Sequence, residues 1–235
     1  IIGNSPRNLD YSIYDYIIMQ STWHEGRSRI GYNKLKKCRL MHKFGNKPYV
    51  DVRSSFNSLL PHNIDTSLKN KLIHYYLHKL KKFPYLHDKA EFEILFTCYD
   101  FSIKDRLMKL KSYNFTQNEI NEIESNLLEF TNTIIQNFPQ LSKECKFSIN
   151  YLKKNRKKIL NQLNNSERRY NELIFAAEQL LRDCKEYGTK PFSLMARIAF
   201  IASNMLKSLV SSNTITQQYY DEFMQSIETT LSEFQ

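Results

Sequence analysis

Residues 116–139 read TQNEINEIESNLLEFTNTIIQNFP, and this stretch decides the fold class. Thr116 followed three residues later by Glu119 is a capping box, in which each side chain satisfies a backbone N–H at a helix start. Leu127, Leu128, Thr131, Ile134 and Ile135 then continue a stripe at helical spacing, and Pro139 predicts a stop. A further helix is expected over about 142–162, with Lys153, Lys154, Arg156 and Lys157 as its solvated ridge. Ser166 is placed to cap a third, which carries Leu173, Ala176, Ala177, Leu180 and Leu181 inward and ends at Gly188, a residue suited to a left-handed C-terminus. Pro191 suits the first turn of a fourth helix through Val210. Thr214 or Thr216 opens a last one through Ile227 and Leu231.

The first half reads as mixed. Helices are expected over about 9–24 and 66–82, the second ended by Pro84. Tyr49-Val50-Asp51-Val52-Arg53 alternates apolar and polar residues, and so does the stretch 90–101, with Phe92, Ile94 and Phe96 on one side. The pattern predicts an antiparallel ribbon pairing residues near 49–54 with residues near 91–99. With no internal repeat, low-complexity tract or linker, residues 1–235 read as a single domain. The expected fold is mainly α, a helical bundle-like domain with a small antiparallel β element in its N-terminal half.

Composition narrows the function. The 235 residues suffice for a sizeable core. Cys38, Cys98, Cys145 and Cys184 stand far apart without a Cys-x-x-Cys pair, as reduced thiols of a cytoplasmic protein do. The longest apolar runs, such as 198–202, fall short of the about 20 residues that cross a bilayer, and no signal-peptide pattern opens the chain. Only 5 residues are glycine, none in a phosphate-cradling arrangement, so no nucleotide loop is recognisable. The opening Ile1-Ile2-Gly3, without methionine, suggests a piece of a longer chain. A net charge of +10, with clusters at 34–37, 79–82 and 153–158, invites a nucleic-acid partner. Without an accompanying binding motif, solvated lysine-rich helix faces explain it as well.

Several polar groups sit in otherwise apolar sequence. Asp51, Arg53, Ser54, Ser55 and Asn57 interrupt strand-like residues, and the planar donor fork of Arg53 suits a carboxylate or phosphate. Arg53 pairing with Asp51 or Glu91 is the structural alternative. Glu91 and Glu93, preceded by His87, Asp88 and Lys89, offer paired carboxylates beside a cation, the makings of a general base or of a solvated strand face. Tyr187 and Thr189 belong to a polar junction, and Arg197 is costly within Ala196-Arg197-Ile198 unless it meets an anion. His74 and His78 share a helix face but lack a third ligand, so no metal site is expected.

Four stretches carry a family resemblance. They are Ile1-Ile2-Gly3-x-x-Pro6-Arg7-x-Leu9-x-x-Ser12-x-Tyr14, the run from Pro48 to Ser58, His87-Asp88-Lys89-x-Glu91-Phe92-Glu93-Ile94, and Asp183-Cys184-Lys185-x-Tyr187-Gly188-Thr189-x-Pro191-Phe192. Together they resemble the central part of phosphoenolpyruvate-synthase-like phosphotransferases, and within that group the L-glutamine kinases of capsular phosphoramidate biosynthesis. The opening segment is also similar to the Pro-x-Thr-Pro-Leu-x-x-Ser start of the substrate domain in rifampicin phosphotransferases.

The resemblance implies a three-part enzyme. An N-terminal ATP-grasp-like domain would bind ATP and Mg2+, this chain would hold the acceptor, and a swivelling domain would carry a phosphorylatable histidine between them. The implied reaction converts ATP, water and L-glutamine to AMP, phosphate and an N-phosphorylated amide. In such a site Glu91 or Glu93 would take the proton and Lys89 would offset phosphoryl charge. Arg53 or Arg197 would hold the α-carboxylate and Asp51 the α-ammonium, with Ser54, Ser55, Asn57, His87, Tyr187 and Thr189 around them. The chain itself is expected to bind no cofactor and, without a carrier histidine, to be inactive alone. The competing expectation is a noncatalytic basic helical module docking to an acidic partner or nucleic acid.

Overall fold

The structure, a computed structural model, describes residues 3, 5–36, 38–165 and 170–227. It is mainly helical, with one two-stranded antiparallel ribbon in the N-terminal half. The chain opens with α1 (Asn8–Tyr14), which widens into a π-turn over Asp15–Met19, and then α2 (Thr22–Ser28). Strands β1 (Met41–Phe44) and β2 (Lys47–Val50) follow, then α3 (Val52–Asn57), α4 (Thr66–Lys82), α5 (Ala90–Glu93) and α6 (Ile103–Met108). The remainder is α7 (Gln117–Asn165), α8 (Tyr170–Asp183), a π segment over Cys184–Thr189, α9 (Lys190–Ser211) and α10 (Gln217–Ser226).

The capping box at the start of α7 forms as expected. Glu119 accepts from the Thr116 N–H at 2.7 Å, and the Thr116 hydroxyl accepts from the Glu119 N–H at 3.2 Å. Helix α4 has the expected limits, with Asp65 accepting from the N–H groups of Ser67 and Leu68. Thr216 caps α10 through the Tyr219 N–H. The expected cap at Ser166 and the contribution of Leu231 lie outside the described residues.

Three expectations are overturned. The first concerns helix breaks, because Pro139 interrupts nothing and α7 runs through it. The Ile135 carbonyl that loses its partner lies on an exposed face, where solvent can satisfy it. Meanwhile Ile134 and Cys145, before and after, pack into one core with Leu194 and Ile201 of α9. Gly188 likewise ends nothing, since α8, the π segment and α9 form one helix over 170–211, while Pro191 falls in the first turn of α9 as expected. A Cβ on Gly188 would meet Leu152 of α7 at 3.3 Å, so this glycine serves helix contact rather than a left-handed cap.

The second concerns the ribbon, in which β2 pairs with β1, Met41 opposite Val50 and Phe44 opposite Lys47. Gly45 and Asn46, with φ of 51° and 61°, make the tight turn that a two-residue hairpin needs. The alternation through Arg53 ends at Asp51, whose carboxylate accepts from the Ser54 N–H and starts α3. The third concerns residues 90–101. Ala90–Glu93 is a helical turn, and Ile94, Leu95, Phe96, Thr97 and Cys98 are all buried, on no alternating face.

Among the described residues this buried segment pairs with no strand, and side chains of surrounding elements serve part of its backbone. The Phe96 N–H donates to Tyr76 Oη at 3.1 Å, and the Tyr99 N–H to Thr131 Oγ1 at 2.8 Å. Arg106 donates to the Leu95 carbonyl and Tyr32 to that of Thr97. One core gathers around it from α3, α4, α6 and the first turns of α7, and a second lies between α7 and α9.

Among the described residues there is no multi-span membrane arrangement. The helix over 170–211 is long and apolar enough to cross a bilayer by length and composition, but it packs on α7 through Leu194 and Ile201 and carries a buried, ion-paired Arg197.

Helix α2 crosses α9 at Gly26, where a Cβ would stand 1.9 Å from Ser193 Oγ and 2.6 Å from the Lys190 carbonyl. The Lys190 ammonium closes the crossing by pairing with Glu25 at 3.0 Å. Gly26→Ala is expected to lower stability by at least ~1–3 kcal/mol through overpacking, read as a drop in the urea midpoint with an unchanged slope. An unchanged midpoint would refute this reading of the crossing.

Candidate functional site

The α2–α9 crossing sets two arginines side by side. Arg27 follows Gly26 directly, and Arg197 lies one turn beyond Ser193. Both are deeply buried, at 4% and 1% exposure. Between them stands Glu91 of α5, whose side chain is 32% exposed.

The two cations are served unequally. Arg197 Nη1 donates to Glu91 Oε2 at 2.6 Å, Nη2 to Thr97 Oγ1 at 2.7 Å, and Nε to Tyr32 Oη at 3.0 Å. Tyr32 donates its own hydroxyl to the Thr97 carbonyl at 2.6 Å, and each of the three guanidinium nitrogens of Arg197 has a hydrogen-bond partner. Glu91 and the Tyr32 hydroxyl outweigh burial and hold the Arg197 pKa above its usual value. Arg27, by contrast, donates from Nη2 to Ser58 Oγ at 3.0 Å, while Nη1 stands 3.8 Å from Glu91 Oε1, beyond hydrogen-bond reach. Among the described residues its buried Nε has no hydrogen-bond partner. Burial, with Arg197 nearby, lowers the Arg27 pKa to about 10.

Arg27 and Glu91 form the floor of a cleft of about 360 Å³. Its walls are Tyr14, Ile18, Met19, Trp23, Leu40, Val50, Leu59 and Phe192, with Ser55 as the other polar contributor. Burial raises the pKa of Tyr14. Two arginines against one carboxylate leave a net positive floor, and the deficit of hydrogen bonds falls on Arg27. Chemically this is a receptor for an anion joined to an apolar or uncharged body.

Of the residues expected to form a site, the structure brings together Glu91, Arg197 and Ser55. Arg53 does not converge with them: because Asp51 begins a helix rather than continuing a strand, Arg53 falls on the exposed side of α3. Asp51 and Ser54 are engaged in that cap, and the Asn57 carboxamide accepts from Asn33 at 2.9 Å. His87, Lys89 and Glu93 are exposed around α5 and do not line the cleft. Tyr187 packs against Tyr151 at 4.4 Å between ring centroids, and Thr189 is buried at the end of the π segment.

Sequence reasoning missed Arg27, Tyr32, Thr97, Ser58 and Trp23. One signal was Gly26, near the chain's single tryptophan: the expected helix ended at 24, and extending it over Gly26 would have marked a close approach of another element. Among the described residues no group of three or more His, Cys, Asp or Glu side chains could hold a metal ion.

No family model, no curated protein and no solved structure matches this chain.

Two consequences can be measured. Glu91→Gln leaves both buried cations without a counter-charge. It should cost about 2–3 kcal/mol, less than the ~3–5 of a fully buried pair because Glu91 is partly solvated, whereas exposed Arg53→Ala should stay within about 0.5 kcal/mol. Equal effects in chemical denaturation would overturn the placement of Glu91. Close by, neither ring nitrogen of His24 has a hydrogen bond of good geometry among the described residues, with the Cys38 backbone as a polar neighbour. Burial, with Arg27 and Lys34, lowers its pKa from 6.5 against the opposing effects of the Cys38 backbone and Glu25. The unfolded chain therefore binds this proton more readily, so the stability contribution is complete above pH 6.5 and is lost as pH falls towards the folded value. A His24→Leu variant should show a shallower decline over that window, and an identical slope would exclude His24 as its source.

Proposed function

We propose that the cleft is an acceptor site. In this reading the chain is the acceptor-binding central part of an ATP-dependent phosphotransferase working through a phosphohistidine relay. L-glutamine is the acceptor, phosphorylated on its amide nitrogen. The observation that carries the reading is Arg27, a buried cation with unmet donors at the floor of a small, largely apolar cleft. The resemblance of four sequence segments to phosphoenolpyruvate-synthase-like phosphotransferases supplies the reaction.

An amide nitrogen is a weak nucleophile, so an acceptor domain contributes by fixing its position and excluding water around it. Here the anionic end of the acceptor would rest on Arg27. Glu91, anchored through Oε2 by Arg197, keeps Oε1 available to accept an N–H of the ligand. Tyr14, Trp23 and Phe192 shield the bound molecule from solvent. ATP and Mg2+ belong to the ATP-grasp-like domain in this reading, and the transferable phosphoryl group to the swivelling domain. A cytoplasmic location accords with an ATP-driven reaction and with four free cysteines.

A second reading, a basic module docking to an acidic partner, draws on the exposed Lys153, Lys154, Arg156, Lys157 and Lys158 of α7. Calorimetry separates the two. Under the acceptor reading the chain binds L-glutamine saturably at one site, binding is lost in Arg27→Ala, and ATP with L-glutamine yields no AMP. Absence of heat with L-glutamine, or ATP turnover by the chain alone, would overturn it.

A further inference from the structure

We infer that Arg27 and Glu91 form a head-group clamp for a free α-amino acid, the ligand's carboxylate on Arg27 and its ammonium on Glu91 Oε1. Its side chain then leads outward along apolar walls. The assignment rests on the cleft being the acceptor site, and adds which end of the ligand enters first and what its side chain must be.

The floor presents opposite charges at ion-pair distance without a hydrogen bond between them. Arg27 Nη1 and Glu91 Oε1 are 3.8 Å apart, an ion pair too long for a hydrogen bond, which the carboxylate and ammonium on one α-carbon can displace by bonding one to each side chain. Each would meet an unmet partner. Among the described residues Arg27 holds one hydrogen bond, to Ser58, and carries a buried Nε with none. Glu91 is committed only through Oε2, because Arg197 holds that oxygen at 2.6 Å while making its remaining bonds to Tyr32 and Thr97. Arg197 is thus a positioning residue that fixes the aim of Glu91 without touching the ligand.

The walls decide the rest of the ligand. Around Arg27 and Glu91 the cleft is lined by Ile18, Met19, Trp23, Leu40 and Phe192, none of which carries a charge. A second charge on the ligand's body would be desolvated there without compensation. The accepted side chain is therefore uncharged, and unbranched aliphatic chains fit at least as well as a carboxamide. A carboxylate without the ammonium would leave Glu91 Oε1 facing it, a like-charge contact.

Trp23 makes this measurable in the intact chain. It is the single tryptophan, it lines the cleft, and the Arg27 guanidinium lies 5.9 Å from its ring centroid, so its fluorescence reports occupancy of the floor. L-norleucine should change that fluorescence saturably and bind at least as tightly as L-glutamine. Hexanoate, N-acetyl-L-norleucine and L-glutamate should each bind about tenfold or more weakly than L-norleucine, as loss of one charge-assisted contact or burial of an unpaired charge requires. Arg27→Gln should abolish the response, and if that variant fails to fold, the ligand series on the unaltered chain still decides.

Hexanoate or N-acetyl-L-norleucine matching L-norleucine would overturn the clamp, as would a lack of saturable response to any of these probes. L-glutamate matching L-norleucine would overturn the apolar outer wall. N-acetyl-L-glutamine binding as tightly as L-glutamine would sink the clamp while leaving the acceptor reading standing. Saturable binding of L-norleucine without any of L-glutamine would uphold the clamp and remove glutamine as the acceptor.

Discussion

The buried guanidinium of Arg197 is the constraint on which this structure turns. A cation at 1% exposure is tolerable only if every donor is met and a counter-charge is close. Here the partners come from distant parts of the chain: Glu91 on α5, Thr97 in the buried extended segment, and Tyr32 in the loop after α2. These contacts fasten α9 to the first half of the chain. They also hold residues 94–98 in the core with no neighbouring strand among the described residues, since the Tyr32 hydroxyl that receives Arg197 also serves the Thr97 carbonyl. The phenol is kept protonated, its pKa raised by burial beyond the usual range for tyrosine, and so remains a donor to that carbonyl.

Against this closed arrangement, Arg27 stands out by incompleteness. The same α2–α9 crossing buries it almost as deeply, yet among the described residues Ser58 is its one hydrogen-bond acceptor and Glu91 leans towards Arg197. Packing alone accounts for a paired buried arginine; it does not account for a buried cation with donors left over at the floor of a cleft. A ligand anion would relieve that imbalance, which links the energetics of the fold to the proposed binding role.

The crossing itself depends on small residues and on helical irregularity. Gly26 admits Ser193 and the Lys190 carbonyl to contact, and Gly188 lets the π segment lie against Leu152 of α7. The π-turn after α1 and the π segment before α9 are wider than an α-helical turn and are frequent near functional sites. They flank α2 and α9, the two helices that supply the arginines.

The sequence by itself determined the helical class and several helix limits, because capping and periodicity are local physics: Thr116 with Glu119, Asp65 before α4 and Thr216 before α10 act through neighbours within one turn. It also marked Glu91, Ser55 and Arg197 as polar groups at odds with their surroundings. Only the tertiary structure decided the rest. Period two around 90–101 could not reveal that 94–98 are buried on every side, and Pro139 and Gly188 could not announce helices that continue because packing on both flanks outweighs a local break. The pairing of Arg27 with Glu91 joins residues far apart in sequence across a helix crossing, and which arginine is satisfied and which is left open follows from distances that no local pattern encodes.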